Sequence, residues 1–424
     1  MSELSYLEKL LDGVEVAWFP ASEIFHIRNG YTPSKAKKEF WENGTIPWFR
    51  LEDIRMNGRE LDDAIQHISP LGVKGRLFPE NSIFMSTTAT IGEYALVTTP
   101  YLTNQQITNF SLSERFGKLV DIKYLFYRFY DFAQWCEENA NKSGGLSIIG
   151  IKKLSQYEFP IPCPDNPAWS LAIQAEIVRI LDKFNQHTAE LAAELTARKK
   201  QYHYYRDQLL SFKAEEGLAL APYLEKLLDG AEVTWFPLAD ESSFEIANNA
   251  RKPVKSSLRV AGETPYYGAN NIQDYVDGYT HEGEYVLIAE DGSANIERYS
   301  IQYTSGKFWA NNHVHVVRGK SGVNSRYLYH YLCIVNFIPF LTGGGRAKLT
   351  KGQLIEITVP IPCPDNLEKS LAIQSDIVRI LDKFDTLAHS LSEGLPAEIE
   401  QRRKQYDYYR HLLFSFPKPQ TLNS

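Results

Sequence analysis

The stretch 169–212 constrains this chain more than any other. Within it Ile177, Leu181, Phe184, Thr188, Leu191, Leu195, Arg198, Tyr202, Tyr205, Leu209 and Phe212 step alternately by four and three. That is the a/d seam of a heptad helix. Asp165 and Asn166 are candidate caps, and Pro167 suits the first helical position. A core helix of an ordinary bundle would satisfy part of the pattern, but a helix of roughly 65 Å outruns one globular domain. It needs a partner helix.

The chain supplies that partner at 367–416. Pro160-Ile161-Pro162-Cys163-Pro164-Asp165-Asn166 returns as Pro360-Ile361-Pro362-Cys363-Pro364-Asp365-Asn366, and Ser170-Leu171-Ala172-Ile173-Gln174 returns as Ser370-Leu371-Ala372-Ile373-Gln374. Ile377, Leu381, Phe384, Leu391, Tyr406, Tyr409 and Leu413 continue the second seam. Lys200-Gln201-Tyr202 returns as Lys404-Gln405-Tyr406, so the second copy carries a four-residue insertion, a stutter in the heptad. It falls near Gly394-Leu395-Pro396, where the proline predicts a bend or break that the first helix lacks. A second repeat opens each half: Tyr6-Leu7-Glu8-Lys9-Leu10-Leu11-Asp12-Gly13 recurs from Tyr223, and Trp18-Phe19-Pro20 recurs as Trp235-Phe236-Pro237.

Two related halves in one chain are the covalent form of a twofold dimer. Their helices should pair antiparallel, with an unlike domain in each half. The expected order is a lead-in and first variable domain over 1–160, a helix over 161–212 and a linker over 213–221. A lead-in and second variable domain follow over 222–360, then a helix over 361–416 and a frayed tail over 417–424. The fold class is α+β.

Composition excludes more than it suggests. The net charge of −7 argues against a chain coated in basic residues, though a local basic face can coexist with acidic surfaces elsewhere. Cys136, Cys163, Cys333 and Cys363 lack paired spacing, which points to buried thiols in a reducing cytosol rather than a zinc site or disulfides. No apolar run reaches transmembrane length and no secretory leader is expected, so the reading is cytoplasmic, with no membrane partner.

Catalytic signatures fare poorly. Asn166-Pro167-Ala168-Trp169 approximates an amino-methylating motif, but the second copy reads Asn366-Leu367-Glu368-Lys369 and destroys it. His313 and His315 could share one face of a strand, yet no third ligand is evident, which favours structural histidines. The run Gly343-Gly344-Gly345 lacks the Lys-Ser/Thr of a phosphate loop. No catalytic residue and no metal ligand is assigned. What remains suits DNA: lysine and arginine for phosphates, arginine, asparagine and glutamine for base edges. In the first domain these are Lys35, Lys37, Lys38 and Arg50, with Thr87, Thr88, Asn104, Gln105 and Gln106. In the second they are Arg251, Lys252 and Lys255, in a basic loop without an acid nearby in sequence, with Tyr267, Asn270, Asn271, Arg346 and Lys348.

With these residues in place, the chain resembles the specificity subunit of type I restriction-modification systems along essentially its whole length. The resemblance rests on Gly30-Tyr31-Thr32-Pro33, Gly44-Thr45-Ile46-Pro47-Trp48, Ala89-Thr90-Ile91-Gly92 and Asn104-Gln105 in the first half. Tyr267-Gly268-Ala269-Asn270, Phe308-Trp309 and the proline-rich helix entries carry it in the second. Most specific is the tandem unit Thr188-Ala189-Glu190-Leu191-Ala192-Ala193-Glu194-Leu195. Gln174 and Gln374 follow Ile, where the family often has a Glu-Gln pair. The resemblance implies two target-recognition domains that read a bipartite site in double-stranded DNA across a spacer set by helix length. It implies a non-catalytic chain that binds two methyltransferase subunits, with restriction subunits in the full complex. S-adenosylmethionine, ATP and Mg would then reside on those partners, and methyltransferase docking is expected near Tyr202, Tyr205, Tyr406 and Tyr409. The alternative reading is a scaffold whose two domains bind other proteins or glycans.

Overall fold

The computed structural model describes residues 6–142, 145–212, 221–343, 347–390 and 392–417. The chain divides into two compact units, residues 1–189 with 401–424, and residues 190–400. Each unit therefore holds one lead-in, one variable domain, the start of its own long helix and the end of the helix from the other half.

In the first unit, strand Val16–Pro20 pairs antiparallel with Glu158–Pro162, Trp18 opposite Pro160, so the two ends of the variable domain close on each other. Between them lies a five-stranded sheet in the order Phe25–Asn29, Ile107–Leu112, Ser82–Ser86, Tyr94–Val97, Glu60–Leu61. A three-stranded sheet places Ile46–Phe49 between His67–Ile68 and Leu102–Thr103. The domain helix Ile122–Asn139 buries its aromatic stripe here: Phe129 and Phe132 meet Phe110 and Phe159 at ring distances of 5.1 to 5.7 Å, mostly edge to face.

The second unit repeats the plan with different strands. Val233–Pro237 pairs with Thr358–Pro362, Trp235 opposite Pro360. One four-stranded sheet runs Phe244–Ile246, Val314–Gly319, Tyr285–Ala289, Ile301–Thr304, and another runs Ile272–Val276, Ala261–Tyr267, Lys307–Ala310, His281–Glu282. Its domain helix is short, Ser325–Leu332, started by Asn324, whose side chain accepts from the amides of Arg326 and Tyr327. That helix stops at Leu332, and residues 338–340 form a separate 3-10 turn at Pro339.

The repeated sequences make repeated contacts. Tyr124 and Tyr327 each donate to a frame carbonyl, Pro160 O and Pro360 O, at 2.7 Å. Gln174, fully buried, donates to Leu119 O at 2.9 Å and Ser170 Oγ at 2.8 Å, and accepts from Asp121 N at 2.9 Å. Gln374 does the same with Gly322 O, Ser370 Oγ and Asn324 N at 2.8, 3.0 and 2.9 Å. This explains why Ser and Gln recur four apart: together they tie the long helix to the cap of the domain helix. Two turns along, Asp182 accepts from Lys123 at 3.1 Å and Tyr127 at 2.5 Å, where Asp382 accepts from Arg326 at 2.8 Å and pairs with His330 at 2.7 Å.

The first long helix is continuous over Pro167–Leu210, with Asn166 Oδ1 accepting from Trp169 N as its cap. The second is broken into Leu367–His389 and Leu395–Leu413. The expected bend is thus a full interruption, with Pro396 in the first turn of a new segment, where a missing N–H costs nothing. Gly394 lies over the end of the preceding segment, and a Cβ there would collide with Thr386 O. Leu395 and Ile399 repack against Leu191, with Leu195 and Leu387 alongside.

Seam residues Ile177, Leu181, Leu191, Tyr202, Leu209, Ile377, Leu381 and Leu413 are buried. Pairing is antiparallel within each unit: Phe184 stacks on Tyr409 in the first, Tyr205 on Phe384 in the second, both at 5.3 Å. Tyr406 is packed against the first core. Leu391 lies outside the described residues, as do 213–220 of the expected linker and 418–424 of the tail. The α+β class, the internal twofold repeat and the paired long helices stand as expected. Among the described residues no helix is long and apolar enough to cross a membrane.

Candidate nucleic-acid interface

In the first unit, strand Ile46–Phe49 runs parallel to Leu102–Thr103, Phe49 opposite Thr103. Arg50 and Asn104 consequently leave the sheet side by side. Gly30 brings a third segment onto them: Tyr31 N donates to Thr103 O at 2.8 Å, and a Cβ on Gly30 would collide with the Thr103 hydroxyl. Only glycine permits that approach. The result is a cleft of about 650 Å³ lined by Thr32, Lys35, Lys38, Trp41, Glu42, Trp48, Arg50, Gln66, Asn104 and Gln105.

Five of the residues chosen from sequence, Lys35, Lys38, Arg50, Asn104 and Gln105, meet there. Trp41 and Trp48 form its aromatic wall, edge to face at 5.0 Å, and both donate their indole N–H to backbone, Ser34 O and Tyr31 O, at 3.1 Å. Thr32 Oγ1 donates to Gln105 Oε1 at 2.5 Å, which leaves the amide N–H₂ of Gln105 as a donor. Arg50 also begins helix Leu51–Asn57, its N–H held by Asp53 at 2.7 Å, and its guanidinium lies 2.9 Å from Glu52. Lys37 sits beside the cleft, 4.0 Å from Glu39. Gln106 is exposed, its N–H donating to Asn104 Oδ1 at 3.0 Å.

Two more of the choices, Thr87 and Thr88, lie outside the cleft lining. Thr87 is buried, its hydroxyl 2.7 Å from that of Thr108, which in turn donates to Asn29. Thr88 is half-buried and bridges to Ile148. A hydroxyl committed inside the sheet, as that of Thr87 is, cannot also face a ligand. Conversely, Trp41, Glu42, Trp48 and Gln66 also line the cleft: the first three lie close in sequence to Lys38 or Arg50, and Gln66 arrives through its carbonyl, which accepts from Trp48 N.

The second unit gathers its predicted residues differently. Arg251 has an acid after all, distant in sequence: Glu290 accepts from it at 2.7 Å, and Lys348 reaches the same carboxylate at 3.2 Å. Burial opposes ionisation of Glu290, but hydrogen bonds from Arg251 and Lys348 hold its carboxyl below the usual range. Arg251 also donates to Val314 O at 2.7 Å. These contacts make Arg251 and Lys348 parts of the scaffold. Tyr267 is in the core against Phe308. Asn270 fastens a loop through Gly292 O and Ala294 N, both at 2.8 Å, and Asn271 holds its neighbour Ile272 N. Arg346 lies outside the described residues.

Lys255 is exposed, and Lys252 lines a smaller cleft, about 280 Å³, walled by Val254, Leu258, Val260, Tyr266, Val276 and Trp309, with Arg259 and Asp277 at its edges.

The two histidines weighed as ligands both have partners. His315, fully buried, faces Leu349 O at 2.8 Å through Nε2 and Asn248 Nδ2 at 2.9 Å through Nδ1, and burial lowers its pKa, so it is a neutral core histidine. His313 precedes the strand and pairs with Asp291 at 2.5 Å. No group of three potential metal ligands occurs among the described residues. Cys136 is buried, while Cys163, Cys333 and Cys363 are half-buried rather than buried as expected; burial pushes the Cys333 thiol up to about 11 and raises Cys136 further. Neither is a nucleophile at neutral pH.

Comparison with known proteins gives a consistent picture. The family model described as type I restriction modification DNA specificity domain matches residues 14–198 and 242–401. The chain is 46% identical to the EcoprrI type I restriction enzyme specificity subunit of Escherichia coli, over 93% of each chain. It is 33% identical to the EcoR124I/EcoR124II specificity subunit of the same species over the full length of both. A crystal structure of a type I restriction-modification S subunit from M. genitalium shares the fold, with a TM-score of 0.55, 17% identity, and 96% and 98% of the two chains covered.

Proposed function

This chain belongs to the type I restriction-modification DNA specificity family, whose role is DNA sequence specificity exercised through two recognition domains, and on that premise we propose how its parts divide the work. Each unit reads one half of a split site in double-stranded DNA, through the cleft at the mouth of its variable domain. The observation that carries this reading is the contrast between equivalent frames and unlike clefts. The Gln174 and Gln374 clamps match contact for contact, whereas the clefts they support differ: beyond cations, tryptophan and one carboxylate each, the first is lined by amides and a hydroxyl and the second by aliphatic side chains and Tyr266.

In the first cleft Lys35 and Lys38 suit phosphates, with Lys37 beside it. Arg50 and the amides of Gln66, Asn104 and Gln105 suit base edges, and the carboxylate of Glu42 suits the N4 amine of cytosine. In the second, Lys252 and Lys255 serve phosphates. The long helices act as the ruler for the unread gap. The chain itself is non-catalytic. It directs adenine-N6 methylation by two methyltransferase subunits, and cleavage when restriction subunits join, with S-adenosylmethionine, ATP and Mg held by those partners in the cytoplasm.

The test is to co-express this chain with the methyltransferase subunit of its own system and map N6-methyladenine across the host genome. A split motif with a fixed unread gap is expected. A well-folded complex that adds no methylation would refute the reading and favour a scaffold.

A further inference from the structure

The two clefts differ in what they can sense. The first is lined by hydrogen-bonding groups, but in the second the polar atoms of the walls are turned inward. The Trp309 indole N–H donates to Lys252 O at 2.7 Å, and the Tyr266 hydroxyl accepts from Val254 N at 3.0 Å. The two rings stack at 6.3 Å and present carbon to the cavity, joined by Val254, Val276, Leu258 and Val260. Arg259 is held in place at the same wall: its guanidinium lies 4.0 Å over Tyr266, with Nε on Val254 O at 3.2 Å and Nη1 3.4 Å from Asp274.

Meanwhile Leu258 and Val260 stand at the rim, 70% and 67% exposed. Their backbone is held in place, Leu258 N on Lys255 O and Asp277 N on Val260 O, both at 2.9 Å. Fixed aliphatic side chains facing water beside an apolar hollow want an apolar group to cover them. The exposed Lys252 and Lys255 beside them favour a polyanion. Asp277 is the one carboxylate lining the hollow, and its Oδ1 accepts from Gly278 N. Across the major groove, the one apolar feature a base edge offers is the C5-methyl group of thymine.

We propose that the second unit recognises a thymine in its half-site by burying the 5-methyl group among Leu258, Val260, Tyr266 and Trp309, while Lys252 and Lys255 hold the flanking phosphates. The proposal rests on the reading of this chain as a split-site DNA reader and adds which chemistry the second half senses.

The experiment uses the full chain assembled with its methyltransferase subunits and a duplex carrying the methylation-mapped site. In competition binding at fixed salt, each thymine of the second half-site is replaced in turn by uracil, which lacks only the methyl. One position should lose affinity about fourfold, the worth of about 0.8 kcal/mol for one buried carbon. Replacements in the first half-site serve as the reference. In Leu258→Ala, a change at an exposed position, the uracil penalty at that position should shrink toward one while first-half recognition is kept. The proposal is overturned if every second-half thymine tolerates uracil, or if that half-site contains no thymine. It is also overturned if Leu258→Ala weakens all duplexes equally, as an intercalating wedge would, or leaves the penalty unchanged. Absence of any split motif would overturn the parent reading itself, a result distinct from a motif that ignores the methyl.

Discussion

Gln374→Leu tests whether the repeated Ser-Gln pair is what fastens a domain helix to its long helix. Leucine nearly matches the volume of glutamine, so packing is preserved and polarity alone is removed. Two backbone groups lose their partner in a fully buried site: Gly322 O and Asn324 N, 2.8 and 2.9 Å from the side-chain amide. An orphaned buried group costs about 1–3 kcal/mol, and leucine recovers part of that through apolar burial, so a net loss of about 3 kcal/mol is expected. Asn324 is also the cap of helix Ser325–Leu332, so the damage should concentrate there. Hydrogen exchange by mass spectrometry reads this locally: amides of that helix should exchange roughly a hundredfold faster, following the tenfold per 1.4 kcal/mol rule. The helix Ile122–Asn139, clamped by Gln174, should be unchanged. Protection of Ser325–Leu332 within threefold of the parent chain would refute the clamp argument.

Three further outcomes are expected. Deleting residues 192–195 shortens the first long helix by about 6 Å and rotates its remainder by about 40°, so methylation mapping should return the same half-sites with a shorter gap. Lys35→Ala combined with Lys38→Ala should weaken DNA binding uniformly across sequences and lower the salt slope by about one for each phosphate no longer neutralised, measured by titration at several salt concentrations. Glu290→Gln should destabilise the second unit by about 1–2 kcal/mol at neutral pH. The folded carboxyl titrates below its ordinary value of 4.5, so its contribution is complete above about that pH and fades as pH falls through the folded value. Denaturation curves of parent and variant should therefore converge as pH falls through the folded value, and a difference that stays constant across the acid range would contradict the assignment.

Much of this protein is legible without a structure because its frame is written twice. A heptad seam, a Pro-rich helix entry and a Ser-Leu-Ala-Ile-Gln pentad are local patterns, and a repeat doubles their signal. Even the interruption of the second helix follows from a local rule, the proline two residues past Gly394. The candidate sites follow no local rule. Arg50 and Asn104 meet because two strands distant in sequence run side by side, and Gln66 joins them because its carbonyl accepts from Trp48 N on the other side of the same strand. Arg251 and Lys348 look like readers in sequence, yet both end on Glu290, a partner that only the pairing of distant segments supplies.

The same division explains which parts each unit contains. Apolar periodicity determines that the ends of the long helices must be buried, since Leu209, Phe212, Leu413 and Phe416 cannot remain in water at little cost. It says nothing of where. Tertiary packing decides that Phe212 meets Tyr327 in the second unit and that Phe414 and Phe416 meet Tyr124 in the first. Each helix end thus completes the core opposite to the one from which its chain departs. Hydrophobic burial is non-directional, so the sequence can specify that a side chain will be covered, while only the shape of the available core specifies by what.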